Sequence, residues 1–377
     1  MLWSDEAERP LKHIRVVDLT VLLPGPYLTR MLAQLGAEVI KVEAAPNGDT
    51  LRATEQTDTF QVLNQGKKSI AVNLRTEQGI QIIRQLASES DIVVENFREG
   101  VMDRLGLGYI DMSENNPELI YVSLRGLSGK ASQQAGHDFN FIANSGVGEW
   151  FLESGVPNYS TQFGDIVGGT LMPMIRLLSH LASPERKGMQ IMNYMDEGFR
   201  SLFLPRAYDE IRKDSLPADQ KATFGINHFF NGREPHSRYY QCRDGQWVAV
   251  NAIQEKHWKH FCELVDKKAW TERQRDRTLL PELELLFKDA PAAYWESLLG
   301  ATETCVTRVV PWEEHLQLST TKSQLSSDPL TWMGFAANPT LKAAPKVGED
   351  TMSVLSSLGM DPQQIAEAIH QGVIKSQ

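Results

Sequence analysis

The chain has 377 residues, 41% of them hydrophobic and 23% charged, and a formal net charge of −10. The length exceeds what one compact core holds and predicts two domains, while the composition is that of a soluble globular protein. No apolar run approaches the roughly 18 residues of a membrane span, and the negative charge argues against nucleic acid and anionic membrane surfaces as partners.

Met1 to Pro10 carries Asp5, Glu6 and Glu8 and no apolar segment, so no signal peptide is expected. Cys242, Cys262 and Cys305 have neither an even count nor metal-ligand spacing, which predicts reduced thiols in a cytoplasmic protein.

The first 125 residues alternate strand and helix signals. Strands are expected over 14–19, 38–43, 69–74, 91–95 and 119–124, and helices over 27–35 and 76–88. Short β-rich strands separated by helices predict an α/β fold with a Rossmann-like parallel sheet covered on both faces. No Gly-x-Gly-x-x-Gly follows the first strand. Pro24-Gly25-Pro26 stands there instead, and prolines remove the amides that would hold a pyrophosphate. A nicotinamide enzyme is therefore excluded. With no His-Glu-x-x-His and nine scattered histidines, no metal site is expected.

The spacing predicts apolar helices over 165–181 and 192–204, then a polar linker over 209–221. Tyr239 to Val250 reads as a hairpin turning at Asp244-Gly245. Helices follow to about Gly300 in a smaller α+β domain. The tail returns to helix over 351–358 and 361–372, with Pro362 in a favoured first-turn position.

Two glycine-flanked turns carry the candidate chemistry. Gly136-His137-Asp138-Phe139-Asn140-Phe141 presents an imidazole; Gly164-Asp165-Ile166-Val167-Gly168-Gly169 presents a carboxylate. Asp165 before an apolar run suits a helix N-cap and also a catalytic carboxylate beside free backbone amides, with Gly168 and Gly169 allowing close approach of a ligand. His137 suits a turn residue or a proton-transfer group. Asp138 suits either an orienter of His137 or an acceptor of local backbone bonds.

Six segments, in order, resemble the family III CoA-transferases (CaiB/BaiF family): Leu23 to Tyr27, Leu35 to Glu43, Asn64 to Ser69, Val94 to Val101, Cys305 to Val310 and Pro345 to Glu349. The resemblance implies an interlocked homodimer. Its large CoA-binding domain would be built from residues 1–205 and 320–377, with a linker at 206–221 and a small domain at 222–319. It implies an acyl-CoA substrate, with coenzyme A present only as part of that substrate and no separate cofactor. Asp165 becomes the catalytic carboxylate. The His137 motif is similar to that of the branch that racemises 2-methylacyl-CoA, except that Phe141 stands for Tyr.

Two acyl-CoA chemistries follow. One exchanges the α-proton between His137 and Asp165; the other passes CoA between acids through an anhydride on Asp165. A catalytically inactive CoA- or protein-binding member is the third reading. Gln254 occupies the position at which the racemase branch places a Glu supporting the histidine, with Glu255 next. Before the hairpin, Phe230 to Pro235 holds one glycine where transferases carry a glycine-rich loop. Lys67, Lys68, Arg75, Arg98, Arg104 and Arg125 lie near strand ends, where open α/β sheets bind ligands. With Asn64, all of these except Arg75 form the expected CoA-binding set, Arg98 and Lys67 foremost.

Overall fold

The computed structural model describes residues 9–53, 57–155, 161–185, 187–213, 215–217, 232–317 and 342–376. They fall into two compact units. One takes the described residues within Met1–Ser145, Thr161–Leu202 and Ser323–Gln377; the other takes those within Gly146–Ser160 and Phe203–Lys322.

The first unit is a seven-stranded sheet. Its strands are β1 (Arg15–Leu19), β2 (Glu38–Ala44), β3 (Lys68–Val72), β4 (Ile92–Glu95), β5 (Ile120–Arg125), β6 (Met189–Tyr194) and β10 (Ile374–Lys375), in the order β10-β3-β2-β1-β4-β5-β6. All neighbours pair in parallel except β10, which runs antiparallel to β3. The order reverses between β1 and β4, and such a switch point opens a crevice at the carboxyl ends of the strands.

Successive side chains of a strand point to opposite faces. Val17, Leu19, Ile40, Val42, Val93 and Tyr121 join one apolar core with the helices Glu77–Ser88, Thr351–Ser357 and Pro362–His370. Val16, Val39, Ile92, Val94, Ile120 and Val122 join the other, under the helices Pro24–Gln34 and Met172–Leu181. Both faces are thus covered, as expected for a parallel sheet.

β6 differs from the sequence expectation. Its last three residues, Met192-Asn193-Tyr194, are expected to start a helix over 192–204, but the helix begins only at Met195 and runs to Ser201. The expected polar linker is helical over its first part, because the helix Leu204–Lys213 runs through residues 209–213.

The second unit holds an antiparallel sheet of β7 (Ser237–Gln241), β8 (Trp247–Asn251) and β9 (Val306–Arg308). The expected hairpin joins β7 and β8, with Gly245 at a φ of 79°. Trp258, Phe261, Phe287 and Trp295 pack behind the sheet. Of the turn before the hairpin, Phe230 and Asn231 lie outside the described residues.

A buried ionic network ties the first three strands of the large sheet to the loop after β1. Lys67 Nζ donates to Asp18 Oδ2 (2.9 Å), Thr29 Oγ1 (2.7 Å), Asn64 Oδ1 (2.8 Å) and the Pro26 carbonyl (2.9 Å). Lys41 Nζ reaches the Thr20 carbonyl (2.8 Å) and Asp49 (3.0 Å). Burial pushes the Asp18 carboxyl up, but Lys67 and Lys41 outweigh it and hold the group well below the usual carboxylate range. Burial lowers Lys67 to about 8, against the pull of Asp18. Replacing Lys67 with Met should strand a buried carboxylate and cost about 3–5 kcal/mol. Urea denaturation of the variant against the parent measures this, and a loss below about 1 kcal/mol, the worth of an exposed pair, would show the network to be incidental.

Candidate active site

His137 ends an extended stretch and starts the helix Asp138–Asn144. Its backbone N–H donates to Asn140 Oδ1 (3.0 Å), so the asparagine three residues on fastens the turn. Phe141 is buried in the apolar core against Gly126 and Gly136, where a phenyl ring has no hydroxyl to satisfy. The imidazole of His137 is exposed.

Asp165 lies one residue into a helical segment, Gly164–Leu171, that is π-helical before continuing as the α-helix Met172–Leu181. Widened turns of this kind are frequent at functional sites. The cap position belongs to Phe163, which makes no side-chain cap bond, so Asp165 is not the N-cap that its place in the sequence suggested. Its amides are not free either. The Asp165 N–H donates to Asp138 Oδ1 (2.9 Å) and the Ile166 N–H to the Gln162 carbonyl (2.9 Å).

Asp138 therefore acts on local backbone. Its buried carboxylate closes the start of the helix that carries Asp165, and so joins the two turns holding the imidazole and the carboxylate. Burial raises the Asp138 pKa, and hydrogen bonds from the Asp165 and Gly164 amides oppose that rise. Asp165 is pushed up to about 7, first by burial and then by the charge of Asp138.

The glycines of this helix serve packing. A Cβ on Gly168 would stand 2.0 Å from the Met195 carbonyl oxygen, and one on Gly169 would stand 2.7 Å from Pro24 Cβ. The Gly168 carbonyl accepts from Asn193 Nδ2 (2.8 Å). Close approach is needed, but by the helix Met195–Ser201 and the Pro24 turn rather than by a ligand.

The expected CoA-binding residues separate by environment. Lys67 and Asn64 are committed to each other and to Asp18 inside the protein, so neither offers a group to a phosphate. Arg125 is buried in a two-bond pair with Glu95 (2.9 and 2.6 Å). Lys68 pairs with Glu38. Arg98 and Arg104 are exposed, and among the described residues neither guanidinium has a hydrogen bond or ion pair. Arg98 follows β4 at the switch point, where Asn96 laces to the loop after β1 by bonds to the Val21 N–H (3.0 Å) and carbonyl (2.8 Å). Arg75 is exposed beyond β3. In the second unit, Gln254 caps the helix Glu255–Leu264 with its side chain exposed, and Glu255 opens that helix. No group of three or more His, Cys, Asp or Glu able to hold a metal occurs among the described residues. Among them too, no helix is long and apolar enough to cross a membrane.

The sequence model of CoA-transferase family III matches residues 11–351. This chain belongs to that family. It is 31% identical to mouse (Mus musculus) alpha-methylacyl-CoA racemase over 97% of this chain and 98% of the relative. It is also 31% identical to a succinyl-CoA:mesaconate CoA-transferase of Haloarcula marismortui, over 68% of this chain and 67% of the relative. The crystal structure of a CaiB/BaiF family protein from Brucella suis superposes with a TM-score of 0.76 at 22% identity, covering 93% of this chain and 99% of that one. The enzyme class is thus acyl-CoA racemase or CoA-transferase, and equal identity to one member of each leaves the reaction open.

A carboxyl raised from 3.8 to about 7 binds its proton more tightly in the folded chain. The folded state gains from this below pH 4 and loses the gain progressively as pH rises to 7. Asp165→Asn removes the group. The variant should be more stable than the parent at pH 8, by about 1–3 kcal/mol, and equal to it near pH 4. Thermal melts at both pH values test this, and equal melting temperatures at pH 8 would place Asp165 in an unperturbed environment.

Proposed function

We propose that this family member interconverts the two configurations of a 2-methylacyl-CoA by exchanging the α-proton between His137 and Asp165. The observation that carries this reading is the Asp138 bond. It sets an imidazole and a carboxyl of raised pKa on two adjoining turns of one unit. The thioester lowers the barrier to losing the α-proton. One group takes that proton, the electron pair moves into the enolate, and the other group delivers a proton to the opposite face. Proton exchange works best when the pKa lies near the working pH, as it does for Asp165 at about 7. Anhydride formation would instead need the ionised carboxylate, the form that burial and the charge of Asp138 disfavour. CoA transfer through Asp165 is therefore the second reading.

In D₂O, incubation with 2-methylacyl-CoA should introduce deuterium at Cα and lead to inversion. His137→Ala should lose inversion by about 10²–10⁴-fold while retaining exchange at the face served by Asp165. A variant that inverts at the parent rate would remove His137 from the chemistry. Transfer of CoA to an added acid without deuterium uptake would favour the second reading.

The phosphates of CoA are assigned to Arg98 and Arg104, the cations of the expected set that bond no other described residue. The Arg98→Ala/Arg104→Ala variant should raise KM by about 10-fold or more, as expected for the loss of two charge-assisted hydrogen bonds, with kcat little changed. An unchanged KM would move the phosphates elsewhere. The working species is proposed to be a homodimer acting on a free acyl-CoA, without nucleic acid or membrane, in the cytoplasm.

A further inference from the structure

The helix that begins at His137 is held at both ends, and only the Asp138 end enters the reading above. At its far end, Asn144 Nδ2 donates to Asp196 Oδ2. The same oxygen accepts the Ser128 backbone N–H (3.0 Å) and the Ser128 hydroxyl (2.8 Å), and Asp196 Oδ1 accepts the Glu197 N–H (2.9 Å). Asp196 is fully buried, so its carboxylate depends on these four donors for the solvation it lost.

Asp196 lies in the first turn of Met195–Ser201, the helix against which the Asp165 segment packs with no room for a methyl group. A Cβ on Gly198 would stand 2.8 Å from the Gly168 carbonyl oxygen, and one on Gly168 would stand 2.0 Å from that of Met195. Asp196 therefore grips the His137 helix from a platform that also fixes the Asp165 helix. The mechanism does not otherwise use this carboxylate, and nothing in its surroundings offers it a substrate.

We propose that Asp196, acting through Asn144, is a positioning residue that fixes the spacing of His137 relative to Asp165. This rests on the proton-exchange reading of those two groups. Two-base inversion needs both groups in register with one α-carbon, and a misplacement of about 1 Å can cost about 10²-fold in rate. Exchange with retention needs only one of the two groups. Loosening the far end of the His137 helix should therefore harm inversion more than exchange.

The test is the ratio of deuterium exchange to inversion, measured for the parent, Asn144→Ala, Asp196→Ala and Asp196→Asn. The ratio is internal to each sample, so a variant that is partly unfolded does not change it. Asn144 is exposed, and its truncation removes one bond without opening the core. We expect the ratio to rise about tenfold in Asn144→Ala and more in Asp196→Ala, with KM within about threefold of the parent; these changes are set against the misplacement scale above. Asp196→Asn keeps an oxygen for Ser128 and Asn144 but turns an amide N–H toward the Glu197 N–H, so its ratio should fall between those of the parent and Asp196→Ala. An unchanged ratio in Asn144→Ala, or an Asp196→Asn variant that behaves as Asp196→Ala, would overturn the proposal.

Crystal structures of the parent and Asn144→Ala separate the two inferences. A parent that neither exchanges nor inverts overturns the racemase reading alone. A His137 helix that keeps its place against residues 164–171 in Asn144→Ala overturns the positioning role, whatever the chemistry.

Discussion

The bond from the Asp165 amide to Asp138 is the constraint from which the candidate site follows. It ties directly together two turns whose imidazole and carboxylate are 28 residues apart in sequence. With it, the carboxylate that closes one helix belongs to the residue after the histidine, so the two reacting groups share a frame. The same bond explains the electrostatics. Asp138 is buried where it can reach the amide, and its charge joins burial in raising Asp165. A group beside a free helix N-terminus would be pulled the other way, which is why the occupied amides matter.

The ionic network around Asp18 has a comparable role one layer below. Here Asp18 of β1, Lys41 of β2, Lys67 just before β3 and Asp49 after β2 are buried together. Their charges neutralise one another inside the protein. The loop from Thr20 to Pro26 is thereby anchored. Pro24, at its end, then meets the Asp165 helix through Thr170 (2.8 Å). A charge that looks like a phosphate ligand in the sequence, Lys67, is committed to holding this loop.

Much of this was legible beforehand, for identifiable reasons. The five N-terminal strands announce themselves because each is apolar on both faces and bounded by helices. His137 and Asp165 stand out because their motifs resemble those of a family with known chemistry. β6 was hidden because Met-Gln-Ile-Met-Asn-Tyr has neither alternation nor β-branched enrichment, and an apolar run joined directly to a helix reads as more helix. The π-helical turn leaves no mark on periodicity. The burial of Lys67 and Arg125 was invisible too, since a cation in sequence looks the same whether it meets a carboxylate or a solvent-exposed ligand. Gly168 and Gly169 look in the sequence like room for a ligand, whereas they give room to Met195 and Pro24. Telling these apart requires knowing which helix lies alongside.

The position of β10 bears on how the chain reaches this state during synthesis. The described strands and helices of the second unit lie within residues 147–317, but the first unit takes its edge strand and two covering helices from residues 351–375. Until those residues leave the ribosome, β3 has an unpaired edge, and Ile70, Val72, Ile82 and Leu86 lack the Val354, Leu355 and Ile365 that complete their core. An exposed strand edge beside uncovered apolar surface invites pairing with another nascent chain. The order of translation thus leaves the first unit open until residues that follow the described elements of the second have been made.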